Sequence, residues 1–156
     1  AQIKLAAAEG AKIVCLQELY RTPYFCRTED SKNFDLAETI PGPSTEALGP
    51  VARRLGILLT VPVIEEADGL YYNAVALLDA EGGIAAVHRK RSLWPVADAS
   101  WATEGPDQAT VADTALGRAA HGEGLSTSMT EDFGEPSGGA LPVRERGARW
   151  RRSRKR

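Results

Sequence analysis

The side chains with the clearest capacity for chemistry in this sequence are one carboxylate, one ammonium group and two thiols. Glu18 directly follows one predicted strand, and Lys90 directly follows another. A carboxylate can accept and return a proton, and a fixed ammonium group can stabilise negative charge in a transition state. The thiols belong to Cys15 and Cys26, and a thiol becomes a nucleophile when a neighbouring group favours its thiolate form.

Each of these residues also has a purely structural interpretation. A glutamate at the end of a strand is more often a solvated residue at the rim of a sheet than a catalytic group. Lys90 lies between two arginines, and such a run of charge is typical of a solvated face. Cys15 is most simply a small core residue in its strand, whereas Cys26 either lines a pocket with Tyr24 and Phe25 or packs within its loop.

Three further polar residues give weaker signals. The two histidines, His88 and His121, are far apart in the sequence and no Cys-x-x-Cys spacing is present, so a metal site is not expected. His88 has no evident partner in the sequence pattern. Asn73 lies near the start of a predicted strand, where a polar side chain commonly satisfies neighbouring backbone groups.

Apolar runs and turn residues predict the elements that carry these side chains. Residues 2–9 are rich in alanine and leucine and predict a helix that ends at Gly10. Residues 12–17 are a nearly continuous apolar run and predict a strand that is buried on both faces. Residues 19–43 then form a long loop, and loops of such length in compact domains are usually functional.

A second helix and three strands follow the loop. The segment from Pro43 to Leu55 predicts a helix with Ser44 as its N-cap and a kink near Pro50. Asp68-Gly69 and residues 81–83 supply the turns between the strands. The three predicted strands are Ile57 to Ile64, Tyr71 to Asp79 and Ile84 to Arg89.

The order of these elements predicts an α/β fold with one mixed sheet and helices on one of its faces. A single such layer leaves the other face of the sheet apolar, so a second layer or a partner must cover it. Residues 119–156 contain only five Val, Ile, Leu, Met or Phe residues. They cannot bury enough apolar surface to offset the entropy of ordering the chain, so we predict a disordered C-terminal tail.

Several short motifs in the sequence resemble the nitrilase, or carbon-nitrogen hydrolase, superfamily. The resemblance covers about residues 1–93, and the segment 18–26 is most similar to the N-carbamoylputrescine amidase branch. Because separate motifs occur in order and at suitable distances, the resemblance is specific. The motifs are Gly10 to Leu19, Gly42-Pro43-Ser44-Thr45, Tyr72-Asn73 and His88-Arg89-Lys90.

The resemblance implies a partial α-β-β-α sandwich and an amidase that cleaves a small linear amide or an N-carbamoyl amine. In that family a cysteine thiolate attacks the substrate carbon. By resemblance, Glu18 is the general base that takes the thiol proton and returns it to the leaving amine, and Lys90 stabilises the oxyanion of the tetrahedral intermediate. No metal or organic cofactor is implied, and the full-length protein is expected to be a homo-oligomer.

The resemblance ends before the segment in which family members place the nucleophilic cysteine. Residues 111–118 resemble the approach to that strand, yet no cysteine follows Cys26. We therefore expect a partial domain over residues 1–118, truncated at both ends and without turnover, and a non-family tail over 119–156 that a shifted reading frame produced. Ser126 and Ser128 are poor substitutes for the thiol, because a serine nucleophile normally needs a fixed histidine base.

Charge is distributed unevenly along the chain. Residues 144–156 contain seven Arg and one Lys against Glu145, although the formal net charge of the whole sequence is −2. One alternative function is therefore nucleic-acid binding through this basic end, with Trp150 available to stack on bases, but an unstructured tail without such a partner is the preferred interpretation. A second alternative is a non-catalytic subunit that completes its sheet against another copy.

The amino-acid composition indicates the class of protein and the compartment in which we expect it. The apolar fraction of 43% and the charged fraction of 26% suit a globular domain. The sequence has no apolar run of about 20 residues, so no membrane partner is expected. Two cysteines cannot build a disulfide framework, so we expect reduced thiols and a cytoplasmic protein.

Overall fold

The computed structural model describes residues 1–22, 31–94, 98–107, 110–121 and 127–130. The predicted pocket residues Tyr24, Phe25 and Cys26 and the basic end at 144–156 lie outside these ranges. The described elements in chain order are α1 (Gln2–Ala8), β1 (Ile13–Cys15), a 3-10 helix (Ser31–Leu36), α2 (Pro43–Leu55), β2 (Leu58–Ala67), β3 (Leu70–Leu78), β4 (Ile84–Arg89), β5 (Thr110–Thr114), β6 (Gly117–His121) and β7 (Thr127–Thr130).

The main sheet has the strand order β1-β2-β3-β4 and is mixed, as predicted. β1 pairs with β2 in parallel, whereas β2, β3 and β4 are mutually antiparallel. The turn between β2 and β3 has two residues with positive φ, 54° at Asp68 and 75° at Gly69. That geometry matches the right-handed twist of the flanking strands, and it confirms the predicted hairpin.

The two faces of the main sheet are covered by different layers. On the helix-side face, Leu59, Val61 and Val63 of β2 pack with Ala52 of α2 and are almost fully buried. On the opposite face, Leu58 and Leu77 pack against Ala112 and Ala119. The latter alanines belong to a second sheet with the order β5-β6-β7, which supplies the covering layer that the apolar sheet required.

The edge position of β1 corrects two predictions. Among the described residues, β1 pairs only with β2, and its residues Ile13 and Val14 are half-buried rather than buried on both faces. Cys15 is exposed, so the expectation of a core cysteine is wrong. An edge strand lacks the neighbour that would cover its outer side, which explains why an apolar sequence alone overstates its burial.

The start of α2 differs from the prediction, because Gly42 rather than Ser44 is the N-cap. The Thr45 hydroxyl accepts a hydrogen bond from the Gly42 N–H at 2.9 Å. Ser44 lies within the first turn, where its N–H donates to the Glu38 carboxylate at 2.6 Å. Pro43 at the first helical position has no N–H to satisfy, so the glycine before it can begin the helix without a side-chain cap.

Helix α2 continues through Pro50 to Leu55 and ends at Gly56, which adopts the left-handed conformation. Beside the proline, Gly49 packs directly against the turn between β3 and β4. A Cβ atom at position 49 would lie 2.6 Å from the carbonyl oxygen of Gly82. The Gly49-Pro50 pair, which is unfavourable for a helix in isolation, therefore allows the helix backbone to approach the sheet.

We expect Gly49→Ala to lower the free energy of unfolding by about 1–3 kcal/mol, because the added methyl group must displace backbone atoms. Helix propensity alone would give the opposite sign and a gain of about 1 kcal/mol. Urea unfolding of the two proteins measures the difference in unfolding free energy. A variant more stable than the wild type would contradict the close backbone contact between Gly49 and Gly82.

The strands of the second sheet were not predicted within this chain, and they extend into the segment for which we expected disorder. Residues 119–121 belong to β6 and residues 127–130 form β7, and the two strands pair antiparallel. The remainder of the predicted tail, at 122–126 and 131–156, lies outside the described residues. No helix in the described part of the chain is long and apolar enough to cross a membrane.

Candidate active site

Four polar side chains from separate segments meet at one end of the main sheet. Lys90 Nζ lies 2.5 Å from Asp98 Oδ2 and 3.4 Å from Glu18 Oε1. Asn73 Nδ2 lies 2.6 Å from Glu18 Oε1 and 3.1 Å from Asp98 Oδ1. The structure thus brings the two predicted site residues, Glu18 and Lys90, within reach of each other, and their catalytic roles stay predictions.

Glu18 is held by a turn that follows β1. Its neighbour Leu19 has φ of 54° and a side chain that is almost fully buried. A left-handed leucine costs about 1–2 kcal/mol, so the burial of its side chain and the turn must hold it there. The turn is closed by a hydrogen bond of 3.0 Å from the Thr22 N–H to the Leu19 carbonyl. Local strain therefore lies directly beside the carboxylate.

Lys90 is placed by the pairing of β3 with β4. Its N–H donates to the Asn73 carbonyl at 2.8 Å, which extends the ladder one residue beyond the end of β4. Asn73 lies within β3 and opposite Ile64 of β2, so its position is fixed by strands on both sides. Asn73 and Lys90 are consequently neighbours across the same two strands.

Asn73 has a different role from the predicted one. Its side-chain nitrogen donates both hydrogens to carboxylates, of Glu18 and Asp98, rather than satisfying backbone groups. The residue is 3% exposed. An amide between two acidic groups supplies donors to both without adding charge, so it holds the carboxylates at a fixed separation.

Asp98 is the site residue that the sequence did not reveal. It is 2% exposed, and its N–H donates to the Trp94 carbonyl at 2.9 Å. Its Oδ2 also accepts from the Trp94 N–H at 3.2 Å. A carboxylate eight residues after Lys90 was the signal that the sequence offered for it.

Residues 104–107 contact Lys90 through their backbone and the neighbouring Arg91 through a side chain. The Gly105 N–H donates to the Lys90 carbonyl at 2.9 Å. Asp107 forms an ion pair with Arg91. The side chains of the charged run 89–91 therefore pair with four different carboxylates rather than forming one solvated face.

The charge state of Lys90 follows from its partners. Burial is the largest influence and lowers the pKa of Lys90, but the hydrogen bond to Asp98 and the negative charges of Glu18 and Asp98 together raise it above its ordinary value of 10.5. The lysine is thus a fixed cation at neutral pH. A fixed cation can stabilise an anionic oxygen but cannot act as a base.

This pKa shift predicts a pH dependence of stability. Because the folded-state pKa of Lys90 exceeds its unfolded value of 10.5, its contribution is fully present below 10.5 and is lost as pH rises through the folded value. We expect the difference in unfolding free energy between the wild-type chain and Lys90→Met to shrink as the pH rises above 10.5. Urea unfolding at several pH values measures it, and Lys4→Met, on the exposed side of α1, is the control.

Other residues considered in the sequence do not join the site. His88 is buried, and its Nδ1 lies 3.1 Å from the Thr110 hydroxyl, so the expectation that it has no evident partner is wrong. Within the described ranges, no group of three or more His, Cys, Asp or Glu side chains is arranged to hold a metal ion. Ser126, like Cys26, lies outside the described residues.

Residues 1–131 match the family model for carbon-nitrogen hydrolases. The chain therefore belongs to the carbon-nitrogen hydrolase family. The match runs past Arg118, the predicted domain end, and includes β6 and β7.

Individual relatives point to amidases with different substrates. The chain is 35% identical over 92 residues to an N-carbamoylputrescine amidase of Solanum lycopersicum, which covers 58% of this chain and 31% of the relative. It is 38% identical over 89 residues to a citrullinase of Francisella tularensis, covering 56% and 31%. It is 42% identical over 96 residues to the omega-amidase NIT2-B of Xenopus laevis, covering 60% and 33%.

The solved structures agree on the fold. A carbon-nitrogen hydrolase from Helicobacter pylori G27 is similar with a TM-score of 0.69 and 27% identity, covering 75% of this chain and 42% of that one. The nitrilase-like architecture that the sequence predicted is confirmed. The chain spans about a third of the length of the curated relatives it matches.

Proposed function

We propose that the whole protein is an amidase that cleaves a small linear amide or an N-carbamoyl amine, such as N-carbamoylputrescine, through a glutamate, a lysine and a cysteine. The observation that carries the proposal is the 3.4 Å approach of Lys90 Nζ to Glu18 Oε1 across 72 residues of sequence. Family membership and the named activities of the relatives support the same chemistry.

Glu18 is suited to move a proton. Both of its described hydrogen bonds fall on Oε1, and among the described residues none is made to Oε2. Oε2 can therefore face an incoming thiol, take its proton, and return that proton to the leaving amine. The side chain is 26% exposed, which leaves it accessible to a substrate.

Lys90 is suited to the other half of the reaction. Attack by a thiolate on the carbonyl carbon forms a C–S bond and moves an electron pair onto the carbonyl oxygen. A cation already fixed by Asp98 can stabilise that oxygen without reorganising during the reaction. Collapse of the intermediate breaks the C–N bond, and the acyl or carbamoyl group on sulfur is then hydrolysed by water.

The cysteine required by this mechanism is absent from the sequence after Cys26. We therefore propose that the 156-residue chain binds substrate at Glu18 and Lys90 but does not turn it over, and that a shifted reading frame near the end of the family match, at about residue 131, has removed the thiol. Translation of the gene in all three frames tests this. A frame that restores an apolar strand with a cysteine supports it, and its absence from every frame would refute it.

We also propose a metabolic role, a cellular location and an oligomeric state for the whole protein. Hydrolysis of N-carbamoylputrescine yields the diamine putrescine, which would place the protein in polyamine biosynthesis in the cytoplasm. The small number of cysteines fits a reducing compartment. We further propose that the full-length protein is a homo-oligomer.

The deciding experiment is ammonia release by the whole gene product and by the 156-residue chain. N-carbamoylputrescine, citrulline and an omega-amide are the three substrates, and Glu18→Ala is the inactive control. We expect release by the whole protein with at least one substrate and none by the shorter chain. Turnover by the shorter chain would contradict the assignment of the missing thiol, and an inactive whole protein would contradict the proposed function.

A further inference from the structure

The residues directly before Asn73 and Lys90 form a compact cluster on the helix-side face of the sheet. Side chains alternate between faces along a strand, so Tyr72 and Arg89 point away from the site that Asn73 and Lys90 build. The Arg89 guanidinium donates from Nε and Nη2 to the two carboxylate oxygens of Glu65, each at 2.7 Å. Its central carbon lies 4.1 Å from the centre of the Tyr72 ring.

This arrangement, here called the Glu65–Arg89 clamp, is geometrically restrictive. Two parallel hydrogen bonds fix the guanidinium plane relative to the carboxylate, and contact with an aromatic face adds a third constraint. The Glu65 side chain is 5% exposed and that of Arg89 is 32% exposed. The pKa of Arg89 is raised, first by the hydrogen bond to Glu65, against the lowering effect of burial.

The same stretch of backbone is held from a second side by the loop that carries Gly105. A Cβ atom at position 105 would lie 2.1 Å from the carbonyl oxygen of Arg89, so only glycine permits this approach. The Gly105 N–H donates to the carbonyl of Lys90 at 2.9 Å. The last residue of β4 and the lysine after it are thus fixed by the clamp and by the loop together.

We propose that Glu65 and Arg89 are positioning residues, which set where the Lys90 ammonium group lies relative to Glu18 without touching substrate. The clamp joins β2 to the end of β4, and Lys90 is the first residue beyond that end. Without it, the terminal residues of β4 would fray and the flexible lysine would sample positions away from Glu18. The consequence for turnover rests on the function proposed above, whereas the consequence for Lys90 itself does not.

Arg89→Lys is the informative variant, because it keeps the positive charge and removes the planar fork. The same substitution at Arg118, whose ion pair with Asp113 is solvent-exposed, is the matched control. The Lys90 amine is titrated by NMR in each protein. We expect Arg89→Lys to move the pKa of Lys90 downwards, towards its ordinary value, as contact with Asp98 and Glu18 loosens, and Arg118→Lys to leave it unchanged.

The rate of ammonia release by the whole protein is the second measurement. A small displacement of a catalytic group can cost about 10²-fold in rate, so we expect kcat to fall by about 10- to 100-fold in Arg89→Lys with a smaller change in KM. A folded variant in which neither the Lys90 titration nor kcat changes would overturn the proposal. A shift in the Lys90 titration in a protein that lacks amidase activity would sustain the positioning role and refute only the proposed function.

A second variant keeps the test decisive if Arg89→Lys does not fold. Glu65→Gln with Arg89→Gln removes both charges together, so neither is left buried without its partner. A folded double variant with a displaced Lys90 titration supports the proposal, and one with an unchanged titration opposes it. Failure of both variants to fold would assign the clamp to general stability and overturn the positioning role.

Discussion

Glu18→Gln should lower the kcat of the whole protein for ammonia release by about 10²- to 10⁴-fold. Glutamine is nearly the same size as glutamate and can still occupy the space beside Asn73 and Lys90, but it cannot accept a proton from a thiol. The loss should therefore appear in kcat rather than in KM. Steady-state assays with N-carbamoylputrescine measure both constants.

The matched control for this prediction is Glu81→Gln. Glu81 lies in the exposed turn between β3 and β4, at the opposite end of this hairpin from Asn73 and Lys90, so the kcat of Glu81→Gln should equal that of the wild type. Circular dichroism of both variants confirms that the fold is retained. A Glu18→Gln enzyme with more than a tenth of the wild-type kcat would show that another group acts as the base.

Lys90→Met should lower the free energy of unfolding of the chain by about 3 kcal/mol, because it leaves the buried Asp98 carboxylate and the partly exposed Glu18 carboxylate without their cation. Asp98 is 2% exposed, and its carboxylate is the nearer of the two to Lys90. Partial exposure of Lys90 and Glu18 places the effect at the lower end of values for buried pairs. Urea unfolding at neutral pH provides the measurement.

A double variant separates this charge effect from a loss of packing. Asp98→Asn in the Lys90→Met background removes the stranded negative charge, so it should recover a substantial part of the lost stability. Lys4→Met, on the exposed side of α1, should change stability by less than about 0.5 kcal/mol. If the double variant were less stable than Lys90→Met alone, the unpaired charge of Asp98 would not be the cause of the lost stability.

Much of the main sheet could be predicted from sequence because its signals are local. The strand predicted at Ile84 to Arg89 has its observed bounds, and the two strands before it are shifted by at most three residues. Alternating apolar residues and glycine-containing turns decide such strands within about ten residues of chain. The pairing of Glu18 with Lys90 was expected only through the family resemblance, since no local pattern links residues 72 positions apart.

The missed features depend on tertiary contacts that no local sequence pattern indicates. Asp98 contacts Lys90, eight residues earlier, and Asn73, 25 residues earlier, but the spacing alone does not show that its side chain turns back towards them. The second sheet was missed because it packs small residues, Ala112 and Ala119, which carry little hydrophobic signal. The role of Ser44 depends on Glu38, which the loop brings back to the start of α2.

The entropic cost of bringing the four polar side chains together depends on the lengths of chain that connect them, and these lengths differ widely. Asp98 reaches Lys90 by closing a loop of 8 residues, whereas Glu18 reaches it across 72. Loop-closure entropy rises by about 0.6 kcal/mol per doubling of length, so the longer closure costs about 2 kcal/mol more. The Lys90–Asp98 contact therefore needs only a short loop to close. The position of the Glu18 carboxylate depends instead on the parallel pairing of β1 with β2, which is the step in forming the sheet that loses the most chain entropy.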